Sequence, residues 1–266
     1  MRRTIVLATT FATLLAFAQP AQADYVDDCN QSQDPDLRIG GCTALIRSGD
    51  YSGVQLGFAY NNRGIAYFDA GEYSQAIENY NRSLDFDPSD PDYYNNRGNA
   101  YSKLEQYARA IDDYDQSIRL DPGKAFAYNG RGAAYRHLGE NALAIEDYSR
   151  ALRIDPGYSK AYYNRGIAYD DLGRYRRAIA DYDEAIRINP SYGSAHQNRG
   201  VSYENLGDYD RAAEDWEQAI RIDGASRAEW WQNYMKERGH YSGAIDGVFG
   251  PATRRGLVAC AYDPAC

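Results

Sequence analysis

The side chains best suited to acid–base chemistry are few and scattered in this chain. It has three histidines, His137, His196 and His240, and none lies at metal-ligand spacing from another histidine or from a cysteine. Aspartate and glutamate are abundant, but they recur periodically, which is typical of a solvated helix face rather than of a tuned acid/base pair. No residues can be assigned as nucleophile and base. The sequence therefore predicts a protein without enzymatic activity, metal or cofactor.

Arginine and asparagine, by contrast, recur at a fixed interval. An Arg-Gly pair returns every 34 residues without insertion or deletion, from Arg63-Gly64 to Arg199-Gly200. A constant period of this size indicates stacked copies of one supersecondary unit. The side chains that could bind a partner are therefore carried on repeated helices.

Each copy of the period contains further matching residues. An alanine lies in a predicted second helix, an aromatic residue follows four positions later, and a proline usually ends the unit. The members are Ala76, Ala110, Ala144, Ala178 and Ala212; Tyr80, Tyr114, Tyr148, Tyr182 and Trp216; and Pro88, Pro122, Pro156 and Pro190. These residues resemble the tetratricopeptide repeat (TPR). The resemblance implies an all-α fold, a right-handed TPR solenoid of five helix-turn-helix units over residues 57–226 with a small helical cap at the C-terminus.

The recurring glycine and arginine predict how the helices pack. The glycines lie mid-helix, where each costs about 1 kcal/mol relative to alanine, so we expect the missing Cβ to let the second helix and its small alanine approach closely. The arginine is followed 16 residues later by an aspartate in four of the five units, as in Arg165 and Asp181. The arginines either form a ladder that binds an acidic peptide or are partly buried against carboxylates. The fixed register favours partial burial.

In tetratricopeptide repeats the first helices line a concave groove, and this resemblance identifies the residues that would face a partner. Asparagine dominates among them, and its amide both donates and accepts hydrogen bonds, which suits the backbone of an extended peptide. The alternative is that several of these asparagines only satisfy neighbouring helices. Lys103 and His137 also face the groove. The predicted binding residues are Asn62, Asn95, Asn96, Asn99, Asn129, Lys160, Asn164 and Asn198.

Some members of the family bind a C-terminal carboxylate with lysine, asparagine and arginine on successive first helices. Only Asn99 and Lys160 fall on matching positions here, and Gly130 replaces the asparagine expected between them. The resemblance therefore implies a protein or extended-peptide partner, but not this kind of chaperone-tail recognition.

The first 23 residues are typical of a cleavable signal peptide. Arg2 and Arg3 precede an apolar run at 5–17, and residues 21–23 form a small-x-small cleavage site. The run is shorter than the roughly 20 residues that span a bilayer, so we expect no membrane insertion after cleavage. We predict a periplasmic protein exported by a Sec-type signal. A net charge of -9 disfavours nucleic acid as a partner.

Four cysteines in an exported chain favour disulfides over metal ligation. Because the repeats should hold the two ends of the chain apart, we predict the pairs Cys29–Cys42 and Cys260–Cys266, the simplest of three connectivities. Residues 24–56 match only the second helix of the repeat. They predict a degenerate half-repeat that caps the N-terminus.

Residues 227–266 predict a C-terminal cap. An amphipathic helix at 227–238 carries Trp230 and Trp231 on its apolar side, which suits the cover of an open hydrophobic face. Residues 239–257 then resemble the loop and helix of peptidoglycan-binding-like domains, with a tight turn and a proline at the helix entrance. The resemblance implies wall-binding candidates at Tyr241, Asp246, Phe249, Thr253 and Arg254. The alternative is a structural hairpin that only finishes the solenoid.

The leading hypothesis from the sequence is a periplasmic, non-enzymatic TPR scaffold or adaptor. It would bind a protein or peptide in its concave groove, and its C-terminal motif would localise it to the cell wall. The alternatives are a peptidoglycan-binding module with the repeats as a spacer, an accessory subunit of a wall-remodelling enzyme, and an unrecognised hydrolase.

Overall fold

The computed structural model describes residues 21–31 and 33–263, and over these residues the chain forms fourteen α-helices. None of them has the length and apolar character that a membrane span requires. The helices are α1 (Ala21–Gln31), α2 (Pro35–Ser48), α3 (Val54–Asp69), α4 (Tyr73–Phe86), α5 (Pro91–Lys103), α6 (Tyr107–Leu120), α7 (Ala125–His137), α8 (Asn141–Ile154), α9 (Ser159–Asp171), α10 (Tyr175–Ile188), α11 (Gly193–Asn205), α12 (Tyr209–Asp223), α13 (Ala225–Glu237) and α14 (Pro251–Ala261).

Helices α3 to α12 form five consecutive pairs, and each pair is one repeat. Every helix packs against its partner, and each second helix also packs against the first helix of the next pair. The first helices contact one another in series, whereas second helices within the described residues do not do so to the same extent. The first helices are therefore the more closely spaced layer and line the concave side of a curved stack. The predicted all-α solenoid of helix-turn-helix units is confirmed.

The mid-helix glycines make room for an aromatic ring of the second helix, and at Gly132 and Gly200 also for the backbone of the second-helix alanine. A Cβ atom at Gly64 would lie 2.6 Å from the Tyr80 ring, and one at Gly166 would lie 2.6 Å from the Tyr182 ring. These second-helix rings are almost completely buried, at 2% and 0% exposed. Ring insertion therefore explains why a residue without a Cβ recurs in the middle of each first helix.

Each recurring arginine joins two repeats. Arg165 donates to both carboxylate oxygens of Asp181 in its own repeat, with N–O distances of 2.8 and 2.7 Å, and to Ser149 Oγ of the preceding repeat at 2.9 Å. Its Cζ lies 5.6 Å from the centroid of the Tyr162 ring, which is half-buried. Arg97, Arg131 and Arg199 also hold both oxygens of their aspartates. Partial burial of the arginines against carboxylates is thus confirmed.

The N-terminal cap is a complete helix pair, not the half-repeat that the sequence predicted for residues 24–56. Helix α1 packs against α2 and also contacts α3, as a first helix would. Gly41 permits this packing, because a Cβ atom there would lie 2.8 Å from the Cys29 nitrogen. The Cys29–Cys42 disulfide joins the two helices across a Cα–Cα distance of 4.6 Å and confirms that predicted pairing. Helix α1 was missed because its sequence lacks the recurring Arg-Gly pair.

Two predictions fall outside the described residues in whole or in part. The predicted signal peptide at 1–23 precedes residue 21 over almost all of its length. Cys266, the predicted partner of Cys260, also lies outside. Both remain predictions.

Helices α13 and α14 close the C-terminal end of the array. Trp231 of α13 is 4% exposed, and its ring lies against Trp216 of the last repeat with ring centroids 4.9 Å apart. Leu257 of α14 is fully buried in the same cluster. The predicted capping helix is present, and it covers the hydrophobic face that the final repeat leaves open.

Candidate functional site

The asparagines of the first helices form a hydrogen-bonded ladder between neighbouring repeats. In each rung, the side-chain amide of an asparagine donates to an oxygen 35 positions earlier, so equivalent surfaces of two first helices are joined. These asparagines therefore satisfy neighbouring helices, and their role in binding a partner stays a prediction. The rungs are Asn96 to Asn61 at 3.0 Å, Asn164 to Asn129 at 2.9 Å, and Asn198 to the Tyr163 hydroxyl at 3.2 Å.

The ladder is interrupted in the third repeat, where Gly130 occupies the position of the donating asparagine. The buried Oδ1 of Asn95 consequently has no hydrogen-bond partner in the described part of the chain. A Cβ atom at Gly130 would lie 2.6 Å from the Tyr114 ring, so this ring occupies the space that a side chain would need. The Tyr114 hydroxyl donates to Asn99 Oδ1 at 2.8 Å. The interruption replaces a polar rung with an open, partly aromatic surface.

A cleft of about 600 Å³ opens at this interruption, on the concave side of α5, α7 and α9. This volume is in the range of sites that enclose small ligands, and it can accept one or two side chains of a peptide. Amide, aromatic and basic side chains converge on it. They include Asn99, Asn129 and Asn164; Phe68, Tyr107 and Tyr114; and Lys103, Arg136, His137 and Lys160. We call this feature the Gly130 cleft.

Basic side chains flank the Gly130 cleft in a protein whose net charge is -9. Lys103 at the end of α5 and Lys160 at the start of α9 approach it from either side of α7. Neither lysine forms an ion pair with any residue that the structure describes. Arg136 contacts Asp171 at an Nη1–Oδ2 distance of 3.4 Å. The cleft therefore carries two lysines without an ion-pair partner among the described residues, beside the paired Arg136 and near the carboxylate of Glu105.

Two titratable rings in the cleft are uncharged at neutral pH. Burial lowers the pKa of His137, and the neighbouring Arg136 lowers it further. The imidazole stacks on Tyr107, with ring centroids 4.7 Å and planes 4° apart. Burial raises the pKa of Tyr114 to about 12, so its hydroxyl remains a hydrogen-bond donor. The positive charge of the cleft thus comes from lysine and arginine.

The structure brings four of the predicted groove residues together in the Gly130 cleft: Asn99, Asn129, Lys160 and Asn164. The other four lie elsewhere: Asn62, whose amide donates to the Cys29 carbonyl of the N-terminal cap at 3.3 Å, and the ladder positions Asn95, Asn96 and Asn198. Sequence reasoning missed Arg136 and Tyr107. Tyr107 begins a second helix, so a groove read from first helices alone could not include it. The available signal for Arg136 was its place beside His137 in the last turn of α7.

The turn of the C-terminal motif is held by a buried glutamine. Gln232 of α13 donates to Asp246 Oδ1 at 2.8 Å, and its Oε1 accepts from the backbone nitrogens of Asp246 and Gly247 at 3.0 and 3.1 Å. Asp246 Oδ1 also accepts from the Val248 nitrogen at 3.0 Å. The N–H of Val248 and the amide of Gln232 hold the pKa of Asp246 below its ordinary value. One oxygen of this wall-binding candidate is therefore committed to the turn.

The other wall-binding candidates divide between the interior and the surface of the cap. Thr253 is 1% exposed and Tyr241 is 8% exposed, and the Tyr241 hydroxyl donates to the Ala244 carbonyl at 2.8 Å. Phe249 is half-buried. Arg254 is exposed, with its Nε 3.0 Å from Glu217 Oε2. The structure therefore does not gather the five residues into one exposed cluster.

The paired helices and the groove lined by first helices define a helical-repeat solenoid. Residues 64–105 match the family described as TPR repeat, and residues 91–124, 125–158, 159–192 and 193–224 each match the tetratricopeptide repeat. These matches cover more than half of the chain, which therefore belongs to the tetratricopeptide repeat family. They do not extend to the C-terminal motif.

Solved TPR structures share this fold. A crystal structure of MamA is 29% identical with a TM-score of 0.55, and the match covers 60% of this chain and 94% of that one. MamA from Desulfovibrio magneticus RS-1 is 23% identical with a TM-score of 0.57, covering 63% and 94%. YrrB, a TPR protein with an unusual peptide-binding site, is 22% identical with a TM-score of 0.53, covering 68% and 91%. No curated protein matches the chain.

Proposed function

We propose that this protein is a non-enzymatic scaffold that binds an extended peptide segment of a partner protein in the Gly130 cleft. The interruption of the asparagine ladder carries the proposal. At this point the inner surface lacks its rung, and amides, aromatic rings and basic groups converge on an open volume. The intact rungs consume the donor amides of their asparagines, and this includes the Asn164 rung at the edge of the cleft. The cleft is therefore the part of the groove most able to accept a foreign backbone.

The charge of the cleft favours a segment that carries a carboxylate. Lys103 and Lys160 are unpaired within the described residues, and Arg136 is only loosely paired. Elsewhere the acidic surface of the protein repels a negatively charged segment. The difference in charge between the basic cleft and the acidic surface directs such a segment to the cleft. Electrostatic complementarity of this kind selects the register in which a peptide binds as well as the partner.

The amides of the cleft suit the peptide backbone. Asn99 Oδ1 accepts from Tyr114, and Asn129 Oδ1 accepts from Asn164. Their side-chain nitrogens make no hydrogen bond within the described part of the chain, so they can donate to backbone carbonyls of an extended segment. YrrB, which shares the fold, has a peptide-binding site of its own. That likeness supports the proposal at the level of the fold.

We further propose that the scaffold acts in the periplasm. The Cys29–Cys42 disulfide supports this address, because such bonds persist in oxidising compartments and are rare in the cytosol. The signal-like features of residues 1–23 point in the same direction. Fractionation of cells that express the full chain tests the proposal. Recovery of the protein with cytosolic markers and with reduced Cys29 and Cys42 would contradict it.

Attachment to the cell wall through residues 239–257 is a second proposal, in which the protein is a peptidoglycan-binding module with the repeats as a spacer, or an accessory subunit of a wall-remodelling enzyme. It is favoured by an open surface depression of about 590 Å³ on α14, where Arg254 and Arg255 lie beside Pro251 and Val258. Co-sedimentation with purified sacculi tests it. Wild-type protein that stays in the supernatant would contradict wall binding and leave residues 239–257 as a cap.

Selection from a library of random peptides displayed on phage tests the peptide-binding proposal. We expect wild-type protein to enrich peptides that contain aspartate or glutamate. Lys160→Glu should bind those peptides at least about tenfold more weakly, because the charge reversal replaces attraction with repulsion. Fluorescence anisotropy of the labelled peptides measures the change.

Arg176→Glu is the matched control for this experiment. Arg176 is exposed on α10 and does not line the cleft, so the variant has the same net charge as Lys160→Glu with the cleft unaltered. It should keep wild-type affinity. Equal affinity of wild type and Lys160→Glu, or a selection that enriches no peptide, contradicts the proposal.

A further inference from the structure

Two aromatic side chains and one arginine form a stacked column along one face of α13 and at its C-terminal end, which we call the aromatic column. Trp230, Tyr234 and Arg238 are spaced four residues apart, so they lie one helical turn above another. The rings of Trp230 and Tyr234 are stacked, with centroids 5.1 Å and planes 17° apart. Arg238 Cζ lies 3.6 Å from the centroid of Tyr234, one helical turn further along. Tyr234 therefore has a stacking partner one turn before it and one turn after it, whereas Trp230 stacks on Tyr234 alone and meets the Trp231 ring edge-on at 5.1 Å.

The column stops at Trp230 because the next position along the helix is Ser226, whose side chain is too short to cover an indole. Trp230 is 49% exposed, while Trp216 and Trp231 are 3% and 4% exposed. A shallow, open cleft of about 500 Å³ lies against it, and Ser194, Asp223, Ser226 and Arg227 line the rest of this surface. An exposed aromatic ring thus borders a shallow, otherwise polar surface.

The two charged groups of this cleft neutralise and orient each other. Arg227 donates to Asp223 Oδ2 through Nε at 3.0 Å and through Nη2 at 2.6 Å. It also donates to Gln197 Oε1 from its remaining terminal nitrogen. Both side chains are held in fixed directions by these bonds, and the pair adds no net charge to the cleft. The surroundings of Trp230 therefore present hydrogen-bonding groups without selecting for a charged ligand.

We propose that Trp230 and this cleft form a carbohydrate-binding site for an uncharged pyranose unit of a glycan. The C–H groups on the apolar face of a pyranose carry partial positive charge, and they pack favourably on the negative π face of an indole. The ring hydroxyls of the sugar both donate and accept, which matches Asp223 as acceptor, Arg227 as donor and Ser226 as either. A proline-rich peptide would cover the ring but has no hydroxyl donors for Asp223, and its prolines lack N–H groups.

The site is separate from the Gly130 cleft and from residues 239–257, and it goes beyond the peptide-binding function. A scaffold with both sites would hold a peptide segment in its central repeats and a glycan at its C-terminal end. The two activities can be removed independently, because their residues lie on different helices.

Tryptophan fluorescence tests the proposal, since Trp230 is much the most exposed of the three tryptophans. We expect titration with the tetrasaccharide of β-1,4-linked N-acetylglucosamine, or with cellotetraose, to shift the emission to shorter wavelength in a saturable manner. Trp230→Ala should bind the responsive sugar at least about tenfold more weakly by calorimetry, because the stacking surface is lost. Ser226→Leu keeps the indole but fills the adjoining space, and it should weaken binding similarly.

Thermal melting of each variant shows that the cap remains folded, and Lys160→Glu should keep the wild-type response to sugar while it loses peptide affinity. The proposal is overturned if neither tetrasaccharide shifts the emission or binds by calorimetry. It is also overturned if Trp230→Ala and Ser226→Leu both bind like wild type, or if a proline-rich peptide gives the saturable shift and the sugars do not.

Discussion

At the scale of single residues, the departures from the repeat are more informative than the repeat itself. The turn between paired helices uses a glycine with positive φ in four repeats, and in the second repeat Glu105 takes this place with φ of 59°. It is the one non-glycine residue of positive φ in the described part of the chain. A side chain in this region costs roughly 1–2 kcal/mol. The backbone at Glu105 is therefore strained, and this residue lies at the edge of the groove that contains the Gly130 cleft.

Glu105→Gly should increase the free energy of unfolding by up to about 1 kcal/mol, because relief of the strain is partly offset by the greater freedom of glycine in the unfolded chain. Urea denaturation followed by circular dichroism measures the change. The control is Gly173→Ala, at a φ of 67° with no atom within 4 Å of the added Cβ. It should lower stability by about 1 kcal/mol. A Glu105→Gly variant less stable than wild type would contradict this account.

The sequence predicted the asparagine row and the anomaly at Gly130, but not what the anomaly does. The asparagine row could be predicted because asparagine recurs with the 34-residue period of the repeat. The cleft depends on the direction of the Tyr114 ring, which comes from the preceding repeat. It also depends on the absence of a side-chain amide at position 130, which would donate to Asn95, 35 positions earlier. Such contacts cross repeat boundaries, so a single helix pattern does not contain them.

At the scale of elements, the recurring arginine connects three helices. Arg165 of α9 reaches Asp181 on α10 and Ser149 on α8, so one side chain links the two helices of a repeat to the preceding repeat. The pairing was predictable from the fixed spacing of Arg and Asp. The aromatic ring that fills the space above the mid-helix glycine was not predictable. The second helix carries both a small alanine and a tyrosine, and the sequence alone does not show which of them lies against the glycine.

Arg165→Ala should lower the free energy of unfolding by about 3 kcal/mol, because it leaves the Asp181 carboxylate, 8% exposed, without its cation. Arg187→Ala is the matched control. Its partner Glu184 lies on the same helix, and the two side chains are 66% and 42% exposed. We therefore expect a loss below about 1 kcal/mol. Chemical denaturation compares the two. A similarly small loss for Arg165→Ala would return the arginines to the ligand-binding alternative.

At the scale of the whole molecule, each repeat contacts mainly its neighbours, so stability is a sum of local terms and the ends are the weakest points. The constant period made the solenoid predictable without knowledge of any individual contact. The N-terminal helix pair was not predictable in this way, since α1 lacks the repeat signature and is tied to α2 by a disulfide instead.

Cys29→Ser/Cys42→Ser should loosen the N-terminal end alone. The bond closes a loop with a sequence separation of 13, and its loss should cost about 3 kcal/mol in the chain-entropy model. Hydrogen exchange should therefore accelerate in α1 and α2, while α9 and α10 keep wild-type protection. Uniform acceleration along the whole array would show that the cap is coupled to distant repeats, against this expectation.

Site-specific photocrosslinking tests the central claim, that the Gly130 cleft is where a peptide binds, most directly. A benzophenone amino acid would replace Ala133, which lines the cleft, or Glu146, which is exposed on α8 outside it. We predict that a peptide selected by the wild-type protein crosslinks from position 133 and not from position 146, with the adduct mapped by mass spectrometry next to an acidic residue of the peptide. Equal crosslinking from both positions, or crosslinking from position 146 alone, would contradict the account.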